Sequence, residues 1–191
     1  MMKKTNKKIK RVAFFGDAEA KEKDKHFKLA KETANLLATE GYIIVNGGGP
    51  GIMLASTIGA KEAGGRVELS VVDLKYLPGN FEGRNEENCK KADKIYEMAG
   101  YENRLNKLIE IADAFVVFKG GTGTLAEVGV IWSKAKFDYG NHEPIIFVGE
   151  EWKKLVPEII KDLGFELKEK RVYDLAKGAA EVKELLAEVE N

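Results

Sequence analysis

The hydrophobic pattern of this chain alternates between short apolar runs and longer segments in which apolar residues recur at helical spacing. Short continuous apolar runs are typical of strands that are buried on both faces of a parallel sheet. Six segments are predicted as strands, at residues 12–15, 42–45, 67–72, 94–98, 114–118 and 144–148. The intervening segments carry an apolar residue every three or four positions, which predicts amphipathic helices between the strands.

Glycines mark the ends of several predicted helices. The first helix ends at Gly41, since glycine readily adopts the left-handed conformation that closes a helix. The second covers about 51–63 and is closed by Gly64. Three helices have clear apolar faces, made of Phe27, Ala30, Ala34 and Leu37, of Leu105, Leu108, Ile109 and Ala112, and of Val182, Leu185, Leu186 and Val189. Strands that alternate with helices, without a linker or a repeat, predict a Rossmann-like α/β fold, a doubly wound parallel sheet with helices on both faces.

The composition favours one domain with no general affinity for nucleic acid or for membranes. The chain has 191 residues and equal numbers of basic and acidic residues, 31 of each, so no strong field of either sign is expected. Lysines and an arginine crowd the first eleven residues, which would suit either an RNA-binding arm or a solvated terminus. No aromatic residue is interleaved with them, and this favours the solvated terminus. We expect a flexible basic N-terminus over residues 1–10 and a single nucleotide-binding domain over residues 11–191.

The use of cysteine and histidine argues against disulfides and metal sites. Cys89 is the only cysteine, and the two histidines, His26 and His142, have no ligand partners at metal spacing. No apolar run approaches the ~18 residues of a membrane span, and the basic N-terminus leads straight into a strand. We predict a cytoplasmic protein without a disulfide, a metal or a cofactor.

Residues 74–92 form a polar stretch between the third and fourth predicted strands. Such a stretch is long for a connection within a compact domain. Its central part, residues 77–84, is rich in glycine and polar residues. We predict an irregular lid or binding loop here rather than a domain boundary.

Two glycine-rich loops follow predicted strands at their carboxyl ends. One follows the strand at 42–45 and the other follows the strand at 114–118. Backbone N–H groups at such a strand-to-helix turn, together with the positive end of the helix dipole, favour a phosphate. In doubly wound sheets, ligands bind at the carboxyl ends of the strands. The predicted phosphate-binding residues are Gly16, Asp17, Gly47, Gly48, Gly49, Gly51, Gly120, Gly121, Thr122, Gly123 and Thr124.

These glycines also have a structural interpretation, in which they only permit tight turns and close helix packing. Neither loop is followed by the Gly-Lys-Ser/Thr of a P-loop, so triphosphate hydrolysis is disfavoured. Residues 121–126 fit the G-x-G-x-x-G/A pattern, but dinucleotide-binding folds carry that pattern in their first strand–helix turn. The two loops together, one of them with two threonine hydroxyls, favour a phosphorylated small molecule.

Three charged residues beside the loops have both functional and structural interpretations. Glu127 could stabilise positive charge or orient a water in the pocket, or it could close a capping box with Thr124. Arg104 could clamp a phosphate, or it could be a solvated helix residue in an ion pair. Asp17 could accept a hydrogen bond from a ribose hydroxyl, or it could cap the segment that follows.

These residues resemble the "lonely guy" (LOG) family of cytokinin riboside 5′-monophosphate phosphoribohydrolases, long labelled lysine decarboxylases. The Gly-Gly-Gly loop after that family's second strand is matched by residues 47–49, and the arginine of its Met-His-Glu-Arg-Lys segment is matched by Arg104. Its motif Pro-Gly-Gly-x-Gly-Thr-x-x-Glu is matched in register by Gly120, Gly121, Gly123, Thr124 and Glu127. The resemblance covers about residues 11–150 and implies that Arg104 and Glu127 are the catalytic residues.

The chain departs from this family at four positions. Lys119 replaces the motif proline, Ala126 replaces a frequent second glutamate, and Leu105 replaces the lysine after the arginine. Asp17 stands where the family usually has a serine near the phosphate. These departures indicate a divergent branch, alongside nucleotide-binding relatives such as molybdenum cofactor carrier proteins. A pyridoxal-dependent decarboxylase is not supported, because Lys119 is the only lysine near the loops and no partner for a pyridinium nitrogen is evident.

The resemblance implies hydrolysis of the N-glycosidic bond of a nucleoside 5′-monophosphate, which releases the free base and ribose 5-phosphate. The alternative is a non-catalytic protein that binds a nucleotide or a phosphorylated cofactor. The helix over residues 125–137 carries apolar residues on more than one face. Such a helix either is buried within the monomer or meets a partner, and the resemblance favours a homodimer or a dimer-based oligomer.

Overall fold

Seven parallel strands form one sheet in the computed structural model, which describes residues 8–76 and 83–190. The strands are β1 Arg11–Phe15, β2 Ile43–Asn46, β3 Val67–Val72, β4 Lys94–Met98, β5 Ala114–Val117, β6 Ile145–Val148 and β7 Tyr173–Ala176. The helices are α1 Lys25–Thr39, α2 Ile52–Glu62, α3 Glu86–Lys91, α4 Tyr101–Ile111, α5 Thr122–Phe137, α6 Glu150–Asp162 and α7 Ala179–Glu190. Short 3₁₀ turns cover Leu74–Tyr76 and Glu169–Arg171.

The order of the strands across the sheet is β4-β3-β2-β1-β5-β6-β7. The central strand β1 pairs with β2, where Val12 lies beside Ile44, and with β5, where Phe14 lies beside Val116. The chain first builds the sheet from β1 outwards to β4, and then crosses back to place β5 on the other side of β1. The carboxyl ends of β1 and β5 therefore flank the switch point, where open α/β sheets bind ligands.

Helices cover both faces of the sheet, and each face has its own apolar core. Helices α1, α2 and α7 pack on one face, where Phe14 and Leu37 are fully buried. Helices α4, α5 and α6 pack on the other face, around Phe15, Trp132 and Phe147. This arrangement confirms the predicted Rossmann-like, doubly wound parallel sheet.

Three elements lie where we predict none from the sequence. Helix α6 contains Pro157, which interrupts a helical pattern, and β7 is a four-residue strand that includes Asp174. Helix α3 lies in the segment 74–92, where the side chain of Asn85 accepts a hydrogen bond from the Asn88 N–H at 2.9 Å and so caps the helix. Residues 77–82 of that segment lie outside the described residues, and the lid itself stays a prediction.

The predicted flexible segment 1–10 lies mostly outside the described residues, which begin at residue 8. Ile9 is buried, and its N–H donates to Glu190 Oε1 at 2.9 Å. The Lys10 N–H donates to Asp113 Oδ2 at 3.1 Å. Residues 9 and 10 therefore hydrogen-bond to α7 and to the residue before β5, and the flexibility of the segment stays a prediction. None of the described helices is both long and apolar enough to cross a bilayer.

Candidate functional site

A cavity of about 570 Å³ opens at the carboxyl ends of β1 and β5. The loop after β1 and the amino end of α5 form two of its walls, and side chains from α2 and α4 complete it. This volume is in the range of pockets that hold small-molecule ligands. The described residues that line the cavity are Gly16, Asp17, Ala18, Glu19, Met53, Gly83, Tyr101, Arg104, Gly121, Thr122, Gly123, Thr124 and Glu127.

The amino end of α5 presents backbone N–H groups to the cavity. The helix begins at Thr122, and the Leu125 N–H donates to the Gly121 carbonyl at 3.0 Å. Among the described residues, no side chain caps this end of the helix. Such free N–H groups and the positive end of the helix dipole favour an anion. The second glycine loop thus forms the kind of site in which we predict a phosphate.

The capping-box interpretation of Thr124 and Glu127 is wrong. A capping box would need Thr124 to precede the helix, but the N-cap residue is Gly121 and Thr124 is the third residue of α5. Gly120 lies behind the cavity wall, and a Cβ at this position would come within 2.1 Å of Thr124 Oγ1. Glu127 therefore lies well inside the helix, and its carboxyl group takes no part in capping.

Glu127 lies in the cavity wall and is almost fully buried. The residue is 7% exposed, and its side chain forms no hydrogen bond with any described residue. Burial disfavours the ionised form and raises the pKa of Glu127 to about 7, although the nearby charge of Arg104 acts in the opposite direction. A carboxyl group with a pKa near neutrality can hold or release a proton, as general acids and bases must.

Arg104 is a buried residue of α4, so its interpretation as a solvated helix residue is wrong. It is 4% exposed, and its Nε donates to the Gly47 carbonyl at 3.0 Å. Its Nη2 lies 3.5 Å from Met53 Sδ. Burial lowers the pKa of Arg104, and Glu127 offsets part of this effect. An arginine pKa starts so high that the guanidinium remains a fixed cation at the edge of the cavity.

The first glycine loop supports Arg104 and does not reach the cavity wall. A Cβ at Gly47 would lie 1.6 Å from Arg104 Nη2, so only glycine leaves room for the guanidinium. Gly51 has φ +61° and approaches the loop after β1, where its Cβ would lie 2.1 Å from the Asp17 carbonyl oxygen. Gly47, Gly48, Gly49 and Gly51 are buried and are not among the residues that line this cavity, so their contact with a phosphate stays a prediction.

A buried polar network holds this first glycine loop in place. The Asn88 side-chain amide donates to the Gly49 carbonyl at 2.8 Å, and Thr57 donates to Asn88 Oδ1 at 2.6 Å. The Asn46 amide donates to Thr57 Oγ1 at 2.9 Å, while its Oδ1 accepts from the Gly48 N–H at 2.9 Å. Because these groups are buried and paired, the network fixes the backbone that holds Arg104.

The loop after β1 brings two carboxyl groups to the cavity. Asp17 Oδ1 accepts a hydrogen bond from the Glu19 N–H at 2.9 Å, which supports the capping interpretation of Asp17. The Asp17 N–H donates to the Lys119 carbonyl at 3.0 Å and ties this loop to the end of β5. Gly16 allows the close packing of Ile52, whose Cγ1 would lie 2.8 Å from a Cβ at position 16.

Four lining residues are not predicted from the sequence, namely Ala18, Glu19, Met53 and Tyr101, while Gly83 belongs to the segment 74–92 that is predicted as a lid or binding loop. Met53 and Tyr101 lie in the first turns of α2 and α4, directly after strand–loop connections. Their position just after a strand-to-helix turn is the sequence signal that identifies such residues as candidates. Lys119 is exposed and does not line the cavity. Among the described residues, no group of three His, Cys, Asp or Glu side chains could hold a metal.

Two solved structures share this fold over nearly their whole length. The molybdenum cofactor binding protein from the phototrophic bacterium Rippkaea orientalis has a TM-score of 0.70 and 21% identity, and 96% of this chain and 99% of that chain are covered. The molybdenum cofactor carrier protein of Chlamydomonas reinhardtii has a TM-score of 0.64 and 24% identity, with 94% and 99% covered. At this level of identity, the likeness concerns the fold.

Sequence comparison relates the chain to the LOG proteins. It is 26% identical over 127 residues to the cytokinin riboside 5′-monophosphate phosphoribohydrolase LOG7 of Arabidopsis thaliana, a match that spans 66% of this chain and 56% of the Arabidopsis protein. The SLOG cluster4 family matches residues 9–171. This range includes both glycine loops, Arg104 and Glu127. The chain therefore belongs to the SLOG cluster4 family and is a divergent member of the LOG family that its motifs resemble.

Proposed function

We propose that this protein hydrolyses the N-glycosidic bond of a nucleoside 5′-monophosphate and releases the free base and ribose 5-phosphate. The observation that carries the proposal is the buried side chain of Glu127, which hydrogen-bonds to none of the described residues and lines one cavity with the amino end of α5. The activity in the name of the Arabidopsis relative supports the same reaction.

In this proposal the free N–H groups of residues 122–124 hold the 5′-phosphate. A phosphate held there fixes the ribose within the cavity, so that the bond to be broken lies near Glu127. Departure of the base leaves an oxocarbenium-like sugar, as in glycoside hydrolysis. Glu127 stabilises that cation or orients the attacking water, and Arg104 contributes a fixed positive charge. The residues named here perform the reaction without a metal ion.

The second candidate is a carrier or sensor that binds a nucleotide or a phosphorylated cofactor without turnover. The specific observation in its favour is the presence of two acidic residues, Asp17 and Glu19, in the cavity wall. The structural relatives from Rippkaea and Chlamydomonas are named for binding the molybdenum cofactor. A ligand with hydrogen-bond donors, such as an aminopurine or a pterin, would suit these carboxylates.

A panel of nucleoside 5′-monophosphates separates the two candidates. Base release, followed by chromatography at high enzyme concentration, is expected for at least one member of the panel. No turnover of any member would contradict the hydrolase. A carrier would instead be stabilised by its ligand without turnover, by roughly 2.7 kcal/mol at a hundredfold excess over Kd.

We also propose that the protein is a homodimer in which α5 contacts a second copy. The exposed positions of α5 between residues 122 and 133 carry no charge. Leu125 and Val130 are 49% and 42% exposed, and Phe137 farther along the helix is 84% exposed. An exposed apolar stripe of this kind marks a contact surface. The buried side of the same helix faces the sheet through Val128, Ile131 and Trp132.

A further inference from the structure

Acidic residues outnumber basic residues around the cavity. The acidic residues Asp17, Glu19 and Glu127 line it, and Arg104 is the one basic residue among the described lining residues. The Asp17 carboxyl group accepts a hydrogen bond from the Glu19 N–H. Glu19 is exposed, so solvent screens its charge. Glu127 is thus the buried carboxyl group that has to share the cavity with an incoming anion.

The surroundings of Glu127 make its ionised form less favourable than it is in water. Its side chain accepts no hydrogen bond from a described residue, and the Arg104 guanidinium is held by a carbonyl and a sulfur instead. A buried carboxylate without protein donors is costly, because no protein dipole replaces the hydration that it loses. The described residues that line the same cavity as Glu127 include Arg104 and Tyr101 from α4, Met53 from α2, and Asp17 and Glu19 from the loop after β1.

We propose that Glu127 takes up a proton when a phosphate group binds at the amino end of α5, and that it later donates this proton to the departing base. The first step is a property of binding, and the second step rests on the proposed function. A phosphate monoester brings close to two negative charges into the cavity at neutral pH. Like charges in one buried site favour protonation of the weaker acid, which here is Glu127.

The reaction then balances without any further reagent. The bond between the anomeric carbon and the base nitrogen breaks, and its electron pair stays on the base. The proton of Glu127 moves to a ring nitrogen of the base, and the carboxylate that remains stabilises the cationic sugar. Water adds to the anomeric carbon, and the proton that it loses returns to the Glu127 carboxylate. One mobile proton therefore serves as the acid for the leaving group and is restored at each turnover.

Isothermal titration calorimetry with ribose 5-phosphate measures the first step directly. This probe has no base to release, and above pH 7 its phosphate is almost fully ionised because the second pKa is ~6. Titrations in two buffers of different ionisation enthalpy report the number of protons taken up. For the wild type near pH 8, we expect uptake approaching one proton per ligand and an affinity that falls up to tenfold per pH unit.

Two variants assign the proton to its residue. Glu127→Gln is expected to bind ribose 5-phosphate with no proton uptake and with no change in affinity between pH 7 and pH 9. Glu19→Gln removes an exposed carboxyl group of the same cavity, and it is expected to retain the uptake. If the Glu127 variant does not fold, the wild-type titration still tests whether a proton is taken up on binding.

The outcomes separate this inference from the proposed function. Binding of ribose 5-phosphate to the wild type without proton uptake would overturn the inference, while base release would still support the hydrolase. Proton uptake that persists in Glu127→Gln would also overturn it. A third outcome combines two results: Glu127→Gln loses the proton uptake, and the wild type releases no base from any nucleotide. This outcome would support the binding step and would overturn both the donation step and the hydrolase.

Discussion

At the scale of single residues, Arg104 and Glu127 are both almost fully removed from water and yet do not hydrogen-bond to each other. The guanidinium is oriented by the Gly47 carbonyl, and none of the described residues donates a hydrogen bond to the Glu127 carboxyl. The result is a fixed cation beside a carboxyl group of raised pKa. From the sequence we could propose both residues, but their burial comes from the packing of α4 and α5 against the sheet.

The raised pKa of Glu127 predicts a pH-dependent effect of Glu127→Gln on stability. The pKa of Glu127 in the folded protein, about 7, lies above its ordinary value of 4.5. With respect to this group, the free energy of unfolding of the wild type is therefore highest below pH 4.5, and it falls as the pH rises to 7. This loss corresponds to about 3 kcal/mol. Relative to the wild type, the variant is expected to gain unfolding free energy between pH 5 and pH 7 and to keep that gain at pH 8.

Urea unfolding of both proteins at pH 5, 6, 7 and 8 checks this result. The matched control is Glu19→Gln, because Glu19 is exposed and lies in the same cavity wall. The control is expected to differ from the wild type by the same amount at every pH. A difference between Glu127→Gln and the wild type that is constant over this range would contradict the assigned pKa.

Gly47→Ala is expected to damage the site with little effect on the fold. The new Cβ would lie 1.6 Å from Arg104 Nη2, so the guanidinium would have to move and its bond to the carbonyl of residue 47 would weaken. We expect base release to fall at least tenfold, with a loss of stability of about 1–3 kcal/mol from overpacking. Gly178→Ala is the control, because its Cβ would meet no atom within 4 Å. Equal activity of Gly47→Ala and the control would rule out a positioning role for Gly47.

At the scale of elements, the two glycine loops are similar in sequence but have different structural roles. Residues 121–124 line the cavity at the start of α5, while residues 47–49 are buried behind it. A glycine run indicates that backbone or ligand approaches closely, but it does not say which. For Gly47 the approaching group is a side chain from α4, more than fifty residues later in the chain, and no local pattern could identify it.

Other elements show the same limit of local patterns. The strands β1, β2, β3, β5 and β6 were predictable because their apolar runs are buried on both faces. The capping-box pattern of Thr124 and Glu127 predicts that α5 starts after Thr124, whereas the helix begins at Thr122. Helix α3 is short and highly charged, so its apolar pattern is too weak to distinguish it from a loop.

The exposed face of α5 leads to a prediction about assembly. Val130→Lys places a charge in the centre of the uncharged stripe, where a second copy would bury it without a partner. Light scattering at micromolar concentration is expected to give a dimeric mass for the wild type and a monomeric mass for the variant. Leu163→Lys, at a 71% exposed position that ends α6, is the control and is expected to remain dimeric. A monomeric wild type would contradict the proposed interface.

At the scale of the whole molecule, the order of the strands determines where the site lies. The reversal between β1 and β5 brings the loop after β1 beside the amino end of α5, and the Asp17 N–H donates to the Lys119 carbonyl across this junction. From the sequence we could place both loops at the carboxyl edge, because the alternation of strands and helices already implied parallel pairing. The sheet order and the depth of the cavity depend on contacts between distant segments, which periodicity does not report.

The rate of base release by the wild type and by Glu127→Gln on the same nucleoside 5′-monophosphate tests the central claim most directly. Glutamine preserves the size of the side chain but provides neither a proton nor a negative charge. Loss of such preorganised stabilisation typically lowers kcat by ~10²–10³. We expect the variant to bind ribose 5-phosphate and its rate of base release to fall by this factor. Turnover of the variant near the wild-type rate would contradict the assignment of Glu127 as the catalytic group.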